Sequence, residues 1–326
     1  SGTDLWITAL IVIISTLTYT LYGGLRASIF TDNIQMFVIA VLLIITISYI
    51  TLFSGDNFSF SFIESKNPQL LSSSYIPSYT AGLTFFIAVA ATNLFHQGNW
   101  QRVYAAKNYE TLKKGLIISF LIIVPIVFLM GFIGMVSFSI DPANRPDLGF
   151  FTLLLKEQTE LLSLLIIVLG LALTISTVDT LVNAISSLFV VDGKATFNFD
   201  KKTDYLKLSK YFIIAISIVV FFVASKGFDI LYLFLLADLF CCAFVLTVFY
   251  SFYNKKINEK TAYISIIVGL IAGISIFPFP DFSKSLLVGV LIPTEVFSPF
   301  VAQSLLFLSF LIATFLPAII LKIKMN

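Results

Sequence analysis

Charge is scarce in this sequence, and histidine is nearly absent. Only 12% of its 326 residues are Asp, Glu, Lys or Arg, and His96 is its one histidine. A soluble globular domain carries about twice that charged fraction. The two cysteines, Cys241 and Cys242, are adjacent within an apolar run, a placement that points to neither a structural disulfide nor a zinc site. A Walker loop, GxSxG, HExxH and every cofactor fingerprint are missing as well. The chain is therefore not expected to be an enzyme, to carry catalytic residues, to hold a cofactor or to bind nucleic acid. It also lacks an initiator methionine: "SGTDLW" leads directly into an apolar run, without the basic region or cleavage site of a signal peptide, and this reads as a fragment.

What the sequence has is apolar length. It is 58% hydrophobic with a mean hydropathy of +0.99, and its long apolar runs are separated by short polar ones. This predicts an all-α integral membrane protein rather than an outer-membrane barrel, whose segments are about ten residues long and alternate. Windows of about 19 residues place spans near 4–22, 31–53, 80–105 (interrupted), 112–138, 161–191, 206–225, 228–251, 260–277 and 299–322. Nine spans put alternate loops on opposite sides. One set of loops, with the C-terminus, holds 15 basic residues: Arg26, Arg102, Lys107, Lys113, Lys114, Lys194, Lys201, Lys202, Lys207, Lys210, Lys255, Lys256, Lys260, Lys322 and Lys324. The other set holds five: Lys66, Arg145, Lys156, Lys226 and Lys284. The richer set is expected on the cytoplasmic side of a plasma or bacterial inner membrane. The longest outer loops, 54–79 and 139–160, leave no room for a soluble domain, and 278–298 is too short in apolar residues to cross, which predicts an outer loop or a shallow re-entrant piece.

Three spans carry chemistry. In the third, Leu83 to Ala91 covers roughly 14 Å, about half of a hydrocarbon core of about 30 Å. Thr92, Asn93, His96, Gln97, Gly98 and Asn99 follow. A discontinuous helix lining a wet cavity accounts for this; a short helix ending at Asn93 and followed by a polar loop fits the same residues. In the fifth span, at about 100° per residue, Ser176, Thr180, Asn183 and Ser187 fall within a narrow arc with Asp179 beside them. A carboxylate at mid-membrane costs about 2.5–3.5 kcal/mol and needs a partner. Oxygen ligands for an alkali ion are one reading, and helix-packing hydroxyls with a hydrogen-bonded Asp179 are the other. Asp32 opens the second span, where a carboxylate facing a helix N-terminus is the plain alternative to a functional role. Asp238, near the middle of the seventh span, also requires a partner.

Three segments taken together, "YGGLRASIFTDNIQ" (22–35), "NWQRVYAAKN" (99–108) and "LTISTVDTLVNAISSLFVVD" (173–192), resemble the sodium:solute symporter family over most of the chain to about residue 255. The resemblance implies a leucine-transporter-type inverted-repeat helix bundle, N-terminally incomplete here, in a single transmembrane domain over 1–326. Residues 4–53 would be core helices four and five, 80–251 core helices six to ten, and 260–322 additional C-terminal helices. The leading helix and core helices one to three would lie upstream. The family's main sodium site maps onto Leu173 through its carbonyl and onto the hydroxyls of Ser176 and Thr177, with further carbonyls from core helix one; sodium is the only metal implied. A second ion site found in some members maps onto Asp32, Asp179 and Thr180, with Asp179 where those members have a hydroxyl. Substrate contacts map onto Thr92, Asn93, His96 and Gln97, and Asp238 is added to them. Without the aromatic pair of the sugar carriers, a small polar solute such as a carboxylate, amino acid, urea or amine is expected, cotransported with sodium across the lipid bilayer. Proton coupling through Asp179 or Asp32 and a transporter-like membrane sensor are the alternatives.

Overall fold

The computed structural model describes residues 3–143, 145–155, 159–196, 204–254, 257–280, 282, 284–291 and 299–325. In chain order its helices are α1 (Leu5–Ser54), α2 (Phe60–Lys66), α3 (Ile76–Phe95), α4 (Gln97–Ala105), α5 (Tyr109–Ile140), α6 (Gly149–Leu155), α7 (Glu160–Thr196), α8 (Tyr205–Ser225), α9 (Ile230–Tyr253), α10 (Glu259–Ile276), α11 (Leu286–Leu291) and α12 (Pro299–Met325). Among the described residues, nine stretches are long and apolar enough to cross a membrane. The chain is an all-α, multi-pass membrane protein. Helix starts follow cap chemistry: Asn108 accepts from the Thr111 amide, Asp204 from Leu206 and Lys207, Asp229 from Tyr232, and Asn258 from Lys260, so each side chain satisfies first-turn N–H groups that the helix leaves unpaired.

One expectation needs correction. The sequence reads 23–30 as a loop between two spans, whereas α1 runs through it without a helical break. No proline interrupts the stretch, and Gly23 and Gly24 weaken a helix without ending it. The two spans survive as the limbs Leu5–Gly23 and Arg26–Phe53 of one helix. A Cβ at Gly23 would collide with the Ala27 side chain, although residues four apart on a regular helix keep their Cβ atoms about 5–6 Å apart. Thr20 and Thr31 also reach the same carboxylate, whereas eleven residues of straight helix would separate them by about 16 Å. The helix is thus folded sharply at Gly23. Asp32 consequently stands inside α1 rather than at a helix start.

The residues fall into two compact units. The first comprises Ser1–Pro68 and Gln97–Gly227. In it α7 packs along α1 and against α8, α4 lies on α7, and α5 packs on α6. Ile50, Ile63, Ile133, Val136, Leu154 and Leu169 are its most deeply buried apolar residues. The segments expected to be outer loops contribute α2 and α6, so Ile63 and Leu154 come from stretches whose composition reads as loop. Residues Leu116 to Phe128 of α5 present exposed apolar side chains, as suits contact with lipid.

The second unit comprises Gln69–His96 and Phe228–Asn326. Here α3 packs on α9, and α12 packs against α10, α9 and α3 around Ala88, Leu235, Leu239, Cys242, Ala243 and Phe310. Cys242 serves as core filling. Gly269 and Gly273 let α10 approach α12 so closely that a Cβ at either would strike Pro317 or Ala313, which is the small-residue packing common between membrane helices. Of the predicted re-entrant piece, 281, 283 and 292–298 lie outside the described residues. The rest forms a bridge between Pro278 and Ser285 followed by α11. Lys156, Lys201, Lys202, Lys255 and Lys256 also lie outside the described residues.

Candidate functional site

In the first unit the polar face of α7 meets α1 and α4. Ser176 donates to Asp32 Oδ1 at 3.0 Å. The other oxygen of Asp32 is ion-paired with Nη2 of Arg102. The same nitrogen donates to Thr180 Oγ1 at 2.9 Å, and Nη1 is fixed on the Gly98 carbonyl one turn back, at 3.0 Å. Asp32, Ser176, Thr180 and Arg102 thus form one network. The ion pair is partly open, its side chains being 37% exposed for Arg102 and 21% for Asp32. It borders a cleft of about 250 Å³ lined by Ile29, Asp32, Asn33, Arg102, Ala105 and Ala106.

Asp179 has a separate set of partners. It is fully buried and accepts on Oδ1 from Thr20 at 2.9 Å and from Asn183 at 2.8 Å. Oδ2 faces Thr31 Oγ1 at 3.2 Å. Neutral donors therefore surround it, and both limbs of α1 are tied to it. Among the described residues it shares no hydrogen bond with Asp32. Tyr19 lies beside Asp179 and Thr31, yet its hydroxyl makes no hydrogen bond of good geometry. Further along α7, Gln101 holds the Asn183 carbonyl at 3.2 Å and the Ser187 hydroxyl.

Leu173 and Thr177 lie on the exposed flank of α7, where the Thr177 hydroxyl donates to the Leu173 carbonyl at 2.9 Å. The Thr177 hydroxyl spends its hydrogen there and keeps lone pairs available for a hard cation, whose natural ligands are oxygens. The expected substrate residues divide. Thr92 and Asp238 belong to the second unit, where the Thr92 hydroxyl donates to the carboxylate of the buried Asp238. Asn93, one residue on, bonds back to the Val89 carbonyl at 2.8 Å. His96 is the single non-helical residue between α3 and α4, its backbone extended at φ −71° and ψ 98°. The expected interruption is therefore real and one residue long. Gln97 opens α4, in the first unit.

The sequence reading missed Arg102, Gln101, Thr20 and Thr31 as site residues. Arg102 counted there only as a mark of the cytoplasmic side, although a guanidinium five residues after the polar start of α4 is suited to pair with an intramembrane carboxylate. The threonines gave no signal, because their type is ordinary in membrane helices.

Two comparisons with known proteins bear on the family of the chain. The chain is 27% identical over 242 residues to a spermidine transporter of Candida albicans, an alignment covering 72% of this chain and 44% of that protein. The chain thus aligns with less than half the length of that relative. The family model of the sodium:solute symporters matches residues 1–269, beyond the limit near residue 255 that the motifs indicate and through every residue of the α7 network. An all-helical membrane fold, an interruption at His96 and an oxygen-lined α7 under a match of that extent place the chain in the sodium:solute symporter family.

Proposed function

We propose that the chain is part of a secondary active transporter that carries a small polar organic solute together with sodium by alternating access, on a leucine-transporter-type inverted-repeat scaffold in the cell membrane. One observation carries the reading. On α7 the Leu173 carbonyl and the Thr177 hydroxyl lie on an exposed flank, and the Ser176 hydroxyl beside them is oriented by Asp32. Oxygen ligands of this kind hold an alkali ion without a cofactor. In this reading Leu173, Ser176 and Thr177 bind the coupling sodium, and the remaining ligands come from core helix one. Each sodium that crosses supplies about 2.3 kcal/mol per 100 mV of membrane potential.

For the solute, Thr92, Asn93, His96, Gln97 and Asp238 are the proposed contacts. Asp238 is buried, and among the described residues it has no ion-pair partner. A buried carboxylate is stable when a cation reaches it, and the Candida relative is named for a polyamine, itself a cation. An organic amine is therefore the favoured solute class. The decisive experiment is uptake by the full-length protein in proteoliposomes, using labelled spermidine, choline, amino acids, urea and carboxylates, with sodium and with sodium replaced by N-methylglucamine. Uptake of an amine that disappears without sodium is expected. Uptake that ignores sodium but follows an imposed proton gradient would favour the second reading, for which the fully buried Asp179 among neutral donors is the supporting observation.

A further inference from the structure

We propose that one end of the seam between α1 and α8 binds the headgroup of an anionic phospholipid, through Tyr22, Arg26, Lys207 and Lys210. Both helices belong to the first unit, where they pack on each other. Two contacts give their direction. A Cβ at Gly227 would strike Cδ1 of Leu5 at 2.8 Å, and Nζ of Lys210 lies 5.6 Å from the centre of the Tyr22 ring. On either helix roughly 26 Å separates the two contacts. The first limb of α1 and α8 therefore run side by side in opposite directions, over most of a hydrocarbon core of about 30 Å.

The Tyr22 end of this seam is positively charged. Tyr22 stands at the fold of α1 with its side 90% exposed, and the close approach of Gly23 to Ala27 keeps Arg26 in the same corner. Lys207 lies one turn before Lys210 on α8. Arg26, Lys207 and Lys210 are all exposed, and among the described residues none of them is in an ion pair. Asp204, the acid next to them in sequence, turns Oδ1 to the Leu206 and Lys207 amides as the cap of α8. The Tyr22 ring attracts the Lys210 ammonium through its quadrupole but does not neutralise it. Three positive charges thus await an anion beside an aromatic ring of the kind found at headgroup level. The helices that carry them expose Ile11, Ile14 and Ile218 along their length, an apolar path for acyl chains that a soluble phosphate would not use. The same end belongs to the set of segments richer in basic residues, which matches the membrane face where anionic lipids concentrate.

The test counts bound lipids. Phosphatidylglycerol is titrated into the detergent-solubilised full-length protein, bound copies are resolved by native mass spectrometry, and phosphatidylcholine is the neutral comparison. The parent is expected to hold phosphatidylglycerol more tightly than phosphatidylcholine. In Lys207→Gln/Lys210→Gln the affinity for phosphatidylglycerol should fall about fivefold for each lysine removed, the weight of one basic residue near an anionic membrane surface. Lys113→Gln/Lys114→Gln removes the same charge from the start of α5 and should leave binding unchanged. An equal loss there would reduce the effect to the general charge of that membrane face and overturn the proposal. A parent with no preference for the anionic lipid would overturn it too, as would inorganic phosphate at millimolar concentration displacing the lipid, since the site would then serve a soluble anion. Two further variants guard against misfolding of the glutamine protein. Lys207→Arg/Lys210→Arg should keep the lipid and Tyr22→Leu should weaken it; the reverse result in either would count against the site.

Discussion

Two buried carboxylates in the same chain are stabilised in opposite ways. Asp179, in the first unit, receives hydrogen bonds from α1 and from its own helix, and the neighbouring Asp32 has an arginine of its own. Asp238, in the second unit, accepts from Thr92 alone among the described residues. Burying a charge costs several kcal/mol unless partners repay it. The first unit supplies those partners internally, and its acids therefore hold structure together. The second gives its acid one donor among the described residues, an arrangement that the proposed cationic solute would complete. Acids that look equivalent in a hydropathy plot thus differ in their donors, and the proposed function assigns them to two classes, Asp179 structural and Asp238 ligand-seeking.

The largest effect that sharpens this contrast is expected at Asp179. Asp179→Ala strands the Thr20 hydroxyl and takes the side-chain acceptor from Asn183, each at about 1–3 kcal/mol, so the detergent-solubilised protein should lose roughly 2 kcal/mol or more. Thermal melting followed by tryptophan fluorescence checks it, and an unchanged midpoint would erase the distinction between the two acids. Next comes the Asp32–Arg102 pair. Asp32→Asn and Arg102→Gln should each destabilise more than the double variant implies by addition, with a coupling of about 1–3 kcal/mol; strict additivity would mean that the pair contributes nothing.

Asp238→Asn should behave in the reverse sense. Removing a poorly compensated charge leaves the melting midpoint near that of the parent, while half-saturation of amine uptake rises about tenfold, equivalent to about 1.4 kcal/mol. A large loss of stability with unaltered uptake would move Asp238 into the structural class. The smallest effect is expected at Thr177→Ala, which removes one of several sodium ligands. The sodium concentration for half-maximal uptake should rise about fivefold, for about 1 kcal/mol, without change in stability. Sodium activation curves of parent and variant settle it.

Much of this was legible before the structure. The spans expected at 112–138, 206–225 and 260–277 are Tyr109–Ile140, Tyr205–Ser225 and Glu259–Ile276, because apolar length and cap residues both act locally. The polar arc of α7 was legible for the same reason, since helical periodicity fixes which side chains share a face. The fold at Gly23 was not. A hydropathy window registers the change of direction between two spans but cannot tell a loop from a helix that bends without breaking. Nor could the sequence assign the partner of Asp32, because 70 residues separate it from Arg102 and only the packing of α4 on α7 brings them together.

The tie at Asp179 also sets a clock. Thr20 and Thr31 precede their partner in the chain by 159 and 148 residues. At about 5–20 residues per second of synthesis, both limbs of α1 are made roughly seven to thirty seconds before α7 can join them. During that wait Thr31 has a local alternative, because its hydroxyl lies 2.9 Å from the Ser28 carbonyl and 3.0 Å from that of Ala27, both within its own helix. A polar group in transit through the membrane is thereby kept satisfied by its own backbone. The arrival of one carboxylate then joins two early spans to a late one.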